Sequence, residues 1–362
     1  MLKQQKIFFE FLRFSIGSAK EIPDSLKEAD WMEIYAIAKK QCLVGVLFDG
    51  IRKLPAEHVG MKKELLLQWM AESQMLEKAN VRLNDAAIQV SEWFRKKGFR
   101  TCILKGQGNA LMYPNPCSRT PGDIDIWVEG GDKRVISFVR SISPHEKACY
   151  HHIEFPSYKG VEVEVHYRPS FLLCFWHNRK LQEYYDRVKE EQFSHRVMLG
   201  EQGEIAIPTM EFNLIFQLTH IFSHLMNEGI GLRQLVDYYF VISMLSVNCE
   251  MLTSLQKELK ELGLWKFAGG IMYIMQEVFG MPASQLIIPP NEKYGKFVLN
   301  EVLEAGNFGK HDERYWFGKS KLGHNLQRVY RDIRLVTYFP AEALCEPIFR
   351  TWHFFWRMKN KK

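Results

Sequence analysis

In the stretch Asp123-Ile124-Asp125-Ile126-Trp127-Val128, two aspartates are separated by a single apolar residue. Side chains alternate across a strand, so Asp123 and Asp125 share one face while Ile124 and Ile126 take the other. Two carboxylates on one face can hold a divalent cation. A third acid comes from Val161-Glu162-Val163-Glu164-Val165-His166, where the valines occupy one face and Glu162, Glu164 and His166 the other. Laid beside the aspartate strand, this segment would supply the third oxygen ligand. Upstream, Cys102-Ile103-Leu104 runs into Lys105-Gly106-Gln107-Gly108. A strand that ends in glycine before a helix can bring backbone N–H groups up to a phosphate, because glycine permits positive φ and close approach. Lys105 adds a point charge there. Arg119 lies four residues before Asp123, across the Pro121-Gly122 corner, where it can pair with a carboxylate or a phosphate. Taken together, these groups call for a nucleotide bound with Mg²⁺, an ion that prefers oxygen ligands and takes one or two carboxylates plus substrate phosphates.

The chain around these residues divides into three. Residues 1–98 read as helical: Trp31 to Ala38 carries apolar residues at helical spacing, and 62–97 is free of proline and ends at Gly98, as a helix would, in one piece or two with a bend. Residues 99–177 change to an α+β pattern. Strands are expected at 100–104 and 123–128 around a short helix near Gly108. A helix capped by Asp132 should run to Arg140, and a hairpin should join 149–155 to 161–167. From 178 to 362 the pattern is helical again, with Thr209 capping a buried helix over 212–226 and further helices over 232–247, 250–262, 265–279 and 294–304. Residues 305–325 read as a loop. The aromatic and basic tail 352–362 reads as a C-terminal helix that docks its aromatics, with contact to nucleic acid or an anionic membrane surface as the alternative. The expected fold is thus a small mixed β-sheet core flanked by N-terminal and C-terminal helical regions.

Composition narrows the class without naming a substrate. The 48 Lys and Arg against 42 Asp and Glu leave a net charge of +6, compatible with a phosphate-bearing ligand and not demanding nucleic acid. Seven scattered cysteines form no C-x-x-C pair, which reads as a reduced, cytoplasmic protein without structural zinc. No apolar run reaches the roughly 18 residues that a membrane span needs.

Other polar residues are weaker candidates. His151, His152 and Glu154 would come near the acidic face only if the hairpin register brings them round. His166 reads as a structural partner of a strand carboxylate. His220 and His224 are four apart, on one helical face, but lack the glutamate of H-E-x-x-H, so they are expected to line a cleft or satisfy buried hydrogen bonds. Arg233 and Asp237 have the spacing of a simple helix pair, with contact of Arg233 to a substrate phosphate as the alternative.

The order of these residues resembles the DNA polymerase β superfamily of nucleotidyltransferases, whose signature is a glycine-containing turn, an acid-x-acid strand and one acid on a later strand. Leu104-Lys105-Gly106, Arg119 to Asp125 and Glu164-Val165-His166 look most like the largely uncharacterised bacterial group labelled nucleotidyltransferase type 5, a relative of abortive-infection toxin enzymes. The motifs span about residues 99–168, with a weaker likeness through Asp30-Trp31, His220, His224 and 231–237. The resemblance implies that Asp123, Asp125 and Glu164 bind Mg²⁺ or Mn²⁺ and that Lys105, Gly106, Gln107, Gly108 and Arg119 contact an NTP. A nucleoside monophosphate would pass to a hydroxyl on a small molecule, protein or RNA. Between the two glutamates, the family pattern selects Glu164. One departure stands out: Gln107 occupies the place where the superfamily carries serine or glycine. That favours one alternative, a nucleotide-sensing or partner-binding module without turnover, while the basic tail is the hint for a second, a toxin-type enzyme acting on RNA ends.

Overall fold

The computed structural model describes residues 2–55, 60–201, 203–245, 248–310, 312 and 321–360. The chain opens with α1 (Lys3–Ile16), α2 (Trp31–Lys40), α3 (Val44–Lys53) and the long α4 (Lys63–Lys96). Phe8, Phe11, Leu12 and Ser15 recur at helical spacing on the buried side of α1, which Gly17 ends at φ 84°. The Asp30 side chain caps α2 by accepting from the Met32 and Glu33 amides. Helix α4 is one continuous helix, closed as expected by Gly98 in the left-handed region, and it buries Trp69, Asn80, Leu83 and Ala87.

The α+β part follows as β1 (Thr101–Leu104), α5 (Gly106–Ala110), β2 (Ile124–Val128), α6 (Gly131–Ile142), β3 (His152–Tyr158) and β4 (Val161–His166). Helix α6 begins two residues earlier than expected: Gly130 is its cap, while Asp132 sits in its first turn and pairs with Arg168. The four strands form a mixed sheet in the order β1-β2-β4-β3. Strand β2 is central, antiparallel to β1 and parallel to β4, and β3 and β4 form the expected hairpin. Ile124, Ile126 and Val128 pack with Val163, Val165 and α6 residues in one core, under Phe94 and Phe99.

The remaining elements are α7 (Phe175–Ser194), the small hairpin β5 (Arg196–Leu199) and β6 (Gly203–Ala206), α8 (Met210–Asn227), α9 (Leu232–Met244), α10 (Cys249–Glu261), α11 (Trp265–Glu277), α12 (Glu292–Ala305), α13 (Lys321–Val336) and α14 (Pro340–Lys359). Thr209 caps α8 as expected, accepting from the Phe212 amide. Much of the loop expected over 305–325 lies outside the described residues. Its end is helical instead, because 321–336 continues as one amphipathic helix whose last turn buries Leu335.

The two helical regions share one core, in which α1 to α4 meet α8 to α14. Arg13 Nε donates to the Val278 carbonyl, and Gln41 bridges Val302 O and Leu232 N, so residues more than 190 positions apart hold each other's backbone. The buried Glu342 carboxylate of α14 accepts from Leu173 N, Cys174 N and His177 Nδ1, fastening the last helix to the entry of α7. All seven cysteines are free thiols. No helix among the described residues is long and apolar enough to cross a membrane.

Candidate functional site

Strand register assembles the site. In the parallel ladder between β2 and β4, Asp125 stands directly opposite Glu164 and Trp127 opposite His166. Asp123 precedes β2 by one residue, and the three carboxylates Asp123, Asp125 and Glu164 lie with one ligand oxygen each within 4.8 Å of the others. Glu162, two residues before Glu164, is exposed and is not part of this group. On the other side of β4, the antiparallel register sets His152 opposite His166 and Glu154 opposite Glu164, so the histidine comes round to the acidic face while Glu154 is exposed.

Asp125 is 5% exposed and holds two basic partners at one oxygen: Lys105 Nζ at 2.9 Å and His166 Nε2 at 2.9 Å. Burial alone would push its carboxyl up, but Lys105 and His166 outweigh burial and hold it well below the usual carboxylate range. Asp123 moves the other way, to about 6, chiefly through the charge of Asp125 and then through burial. Burial opposes the imidazolium of His166, yet its hydrogen bonds to Asp125 and Glu164 hold it up at about 9. His152 is pushed down to about 4 by burial and by His166. Three carboxylates this close repel one another, and the rise at Asp123 registers that repulsion. An all-oxygen set of this kind fits a hard divalent cation.

Lys105 adopts φ 53°, a conformation that L side chains rarely take, and its Nζ reaches both Asp125 and, at 3.3 Å, His220 Nε2. Such a backbone costs on the order of 1–3 kcal/mol and persists where surrounding contacts fix it. Here the strained turn aims Lys105 into the cleft. Gly106 follows at φ 40° and also lines the cleft.

The next two positions do not behave as expected from the turn motif. The Gln107 side chain is buried and turned onto α4, where its amide donates to Asn84 Oδ1 and, at 3.4 Å, to Asn80 O. A Cβ on Gly108 would lie 3.0 Å from Ile207 Cγ2, so this glycine packs tightly against the segment after β6, and a larger residue would have to displace Ile207. A large amide can be housed at 107 because polar positions on α4 receive it.

Arg119 borders the cleft, but its Nε and Nη2 donate to the two oxygens of Asp237 at 2.8 Å each. Tyr113 donates a third hydrogen bond to Asp237 at 2.6 Å. Asp237 therefore joins Arg119 across the fold in addition to lying within charge range of Arg233 on α9, which donates to the Thr120 carbonyl. Asn80 of α4 fixes the same loop, donating to the carbonyls of Cys117 and Arg119. His220 and His224 line the cleft, their rings 4.3 Å apart.

The carboxylates open into a cleft of about 580 Å³. Its far wall is α14, through Glu346, Phe349, Arg350, His353 and Arg357. Those positions step by three and four, which is one face of a helix, so the periodicity was present in the sequence although nothing there placed it against the β-sheet. Phe349 stacks on Phe171 with rings 5.2 Å apart, and His353 Nε2 accepts from the Tyr150 amide. Phe354 and Phe355 on the outer face remain exposed, so the docking expected of the tail applies to one side of the helix only.

A family model described as an uncharacterised nucleotidyltransferase matches residues 27–280. Among solved structures, an antigenic nucleotidyltransferase-like protein from Paracoccidioides brasiliensis is similar at 14% identity, over 59% of this chain and 95% of that one, with a TM-score of 0.33. No curated protein matches the chain.

Proposed function

This chain belongs to the family of uncharacterised nucleotidyltransferases, and we propose that it moves a nucleoside monophosphate from an NTP to an acceptor hydroxyl. The hydroxyl oxygen forms a bond to the α-phosphorus, the bond from that phosphorus to the bridging oxygen breaks, and pyrophosphate leaves. The hydroxyl proton passes to water in the cleft. The observation that carries this reading is the parallel pairing of Asp125 with Glu164, which unites carboxylates 39 residues apart with Asp123 in one group.

Asp123, Asp125 and Glu164 would hold Mg²⁺ or Mn²⁺. When bound, such cations stabilise charge on the attacking and leaving oxygens of an in-line displacement. The protein contributes position and charge. Lys105 and His166 keep Asp125 ionised, the sheet fixes the carboxylates, and the strained turn at Lys105 and Gly106 presents backbone and ammonium groups to a phosphate. Arg350 and Arg357 on α14, with Arg328 on α13, give the opposite wall the positive charge that a triphosphate requires. Arg119, engaged by Asp237, serves here to hold the loop that carries Asp123.

Labelled ATP, CTP, GTP and UTP, each with Mg²⁺ or Mn²⁺ and a panel of hydroxyl acceptors, test the reading. Transfer and pyrophosphate release should occur with the native chain and vanish in Glu164→Gln. Nucleotide binding without any pyrophosphate release would instead select the sensing module, a reading that the inward-turned Gln107 favours by removing a polar side chain from the turn.

A further inference from the structure

A second donor set adjoins the carboxylates and shares one of them. His152, Glu164 and His166 offer ligand atoms that lie within 4.8 Å of one another. His166 Nε2 is 3.5 Å from Glu164 Oε2 and 2.9 Å from Asp125 Oδ1, and His152 Nδ1 is 3.3 Å from Glu164 Oε2. Donors bound at about 2.0–2.2 Å around one ion are separated from each other by roughly 3–3.5 Å, so these spacings are those of a coordination sphere.

The tautomer of His166 agrees. Its Nδ1 faces the Arg168 carbonyl at 3.3 Å. A carbonyl only accepts, so Nδ1 bears the hydrogen and Nε2 is the atom presented to the two carboxylates. A histidine whose outer nitrogen donates to a backbone carbonyl is oriented as metal-ligating histidines are. His152 differs: the nitrogen nearest Glu164, Nδ1, is also the one 3.0 Å from His151 Nε2, so an ion bound there takes the place of that contact, and His151 Nδ1 lies 3.6 Å from Cys149 Sγ. Strand geometry fixes both rings, because His152 and His166 are register partners in the β3/β4 hairpin.

We propose that His152, His166 and Glu164 form a nitrogen-containing cation position selective for a borderline transition ion such as Co²⁺ or Zn²⁺ over Mg²⁺, with Glu164 shared with the all-oxygen group. Imidazole nitrogen suits transition ions, whereas Mg²⁺ prefers oxygen and retains its water. Binding here releases the proton held between His166 Nε2 and its carboxylates. The inference rests on the reading that Asp125 and Glu164 bind cations, and adds that two chemically different positions meet at Glu164.

The full-length protein loaded with Co²⁺ alone, examined by pulsed electron paramagnetic resonance, should show coupling to nitrogen, which an oxygen-only site cannot give. That coupling should weaken in His152→Ala, and Co²⁺ should bind at least about 10-fold more weakly to this variant. Mg²⁺ affinity should be unchanged. His152 is only partly buried, and the wild-type spectrum requires no variant, so a folding defect does not obscure the result. Co²⁺ bound without nitrogen coupling overturns this inference and leaves the nucleotidyl-transfer reading standing. Failure of the wild-type protein to bind any of Mn²⁺, Co²⁺ or Mg²⁺ overturns both.

Discussion

Asp125 on β2 and Glu164 on β4 face each other across a parallel ladder, and the same register sets Trp127 against His166. A slip of one residue would move Glu164 to the core face and bring Val163 or Val165 to the cation group. The valines of β4, buried under α6 and Phe94, therefore enforce the position of the acid.

Glu164→Gln keeps the shape of the side chain and removes its charge. It should lower the rate of pyrophosphate release by at least about 100-fold, the scale on which a single electrostatic contact to a transition state acts. Thermal unfolding should change little, since the side chain is partly exposed.

Asp123 gives a pH signature. Its folded value of about 6 lies above the ordinary 3.8, so the folded, metal-free protein binds this proton more tightly than the unfolded chain does. That contribution stabilises the fold at low pH and is lost as pH rises through about 6. Asp123→Asn should consequently raise the melting temperature of the metal-free protein at pH 8, by the equivalent of about 1–3 kcal/mol, by about half as much at pH 5, and little below the ordinary value of 3.8. In the native chain, cation affinity measured by calorimetry should fall as pH drops below about 6.

Asp237 holds Arg119 and Tyr113 in a buried group. Asp237→Ala leaves a buried guanidinium without its carboxylate and should cost about 3–5 kcal/mol in urea unfolding. Arg119→Lys should also destabilise, because an ammonium cannot reproduce the two parallel hydrogen bonds.

Gln107 separates two roles for the glycine turn. Gln107→Ala removes the bond to Asn84 and should cost about 1–3 kcal/mol while leaving NTP affinity unchanged. Lost affinity at unchanged stability would place the amide on the phosphates.

Arg357 is exposed on the α14 wall. Arg357→Ala should leave stability within about 0.5 kcal/mol. If this residue meets the triphosphate, KM for the NTP should rise about 10-fold with kcat less affected, and the difference should shrink at high salt.

Local pattern alone determined the acid-x-acid strand, the alternating Glu164 strand, the glycine turn, the cap at Thr209 and the stop at Gly98. Each follows from periodicity or backbone conformation within a few residues. Three matters were decided only by the tertiary structure. The hairpin register brought His152 beside Glu164, because an alternating strand fits either register until its partner is packed. Asp237 took Arg119 from across the fold in addition to its neighbour four residues away, since burial rewards the geometry that places two hydrogen bonds on one carboxylate. Gln107 turned toward α4 and α14 closed the cleft because Asn84 and Glu342 offer partners from distant parts of the chain. Spacing specifies which side chains share a face, whereas the surface that each face meets depends on packing among elements hundreds of residues apart.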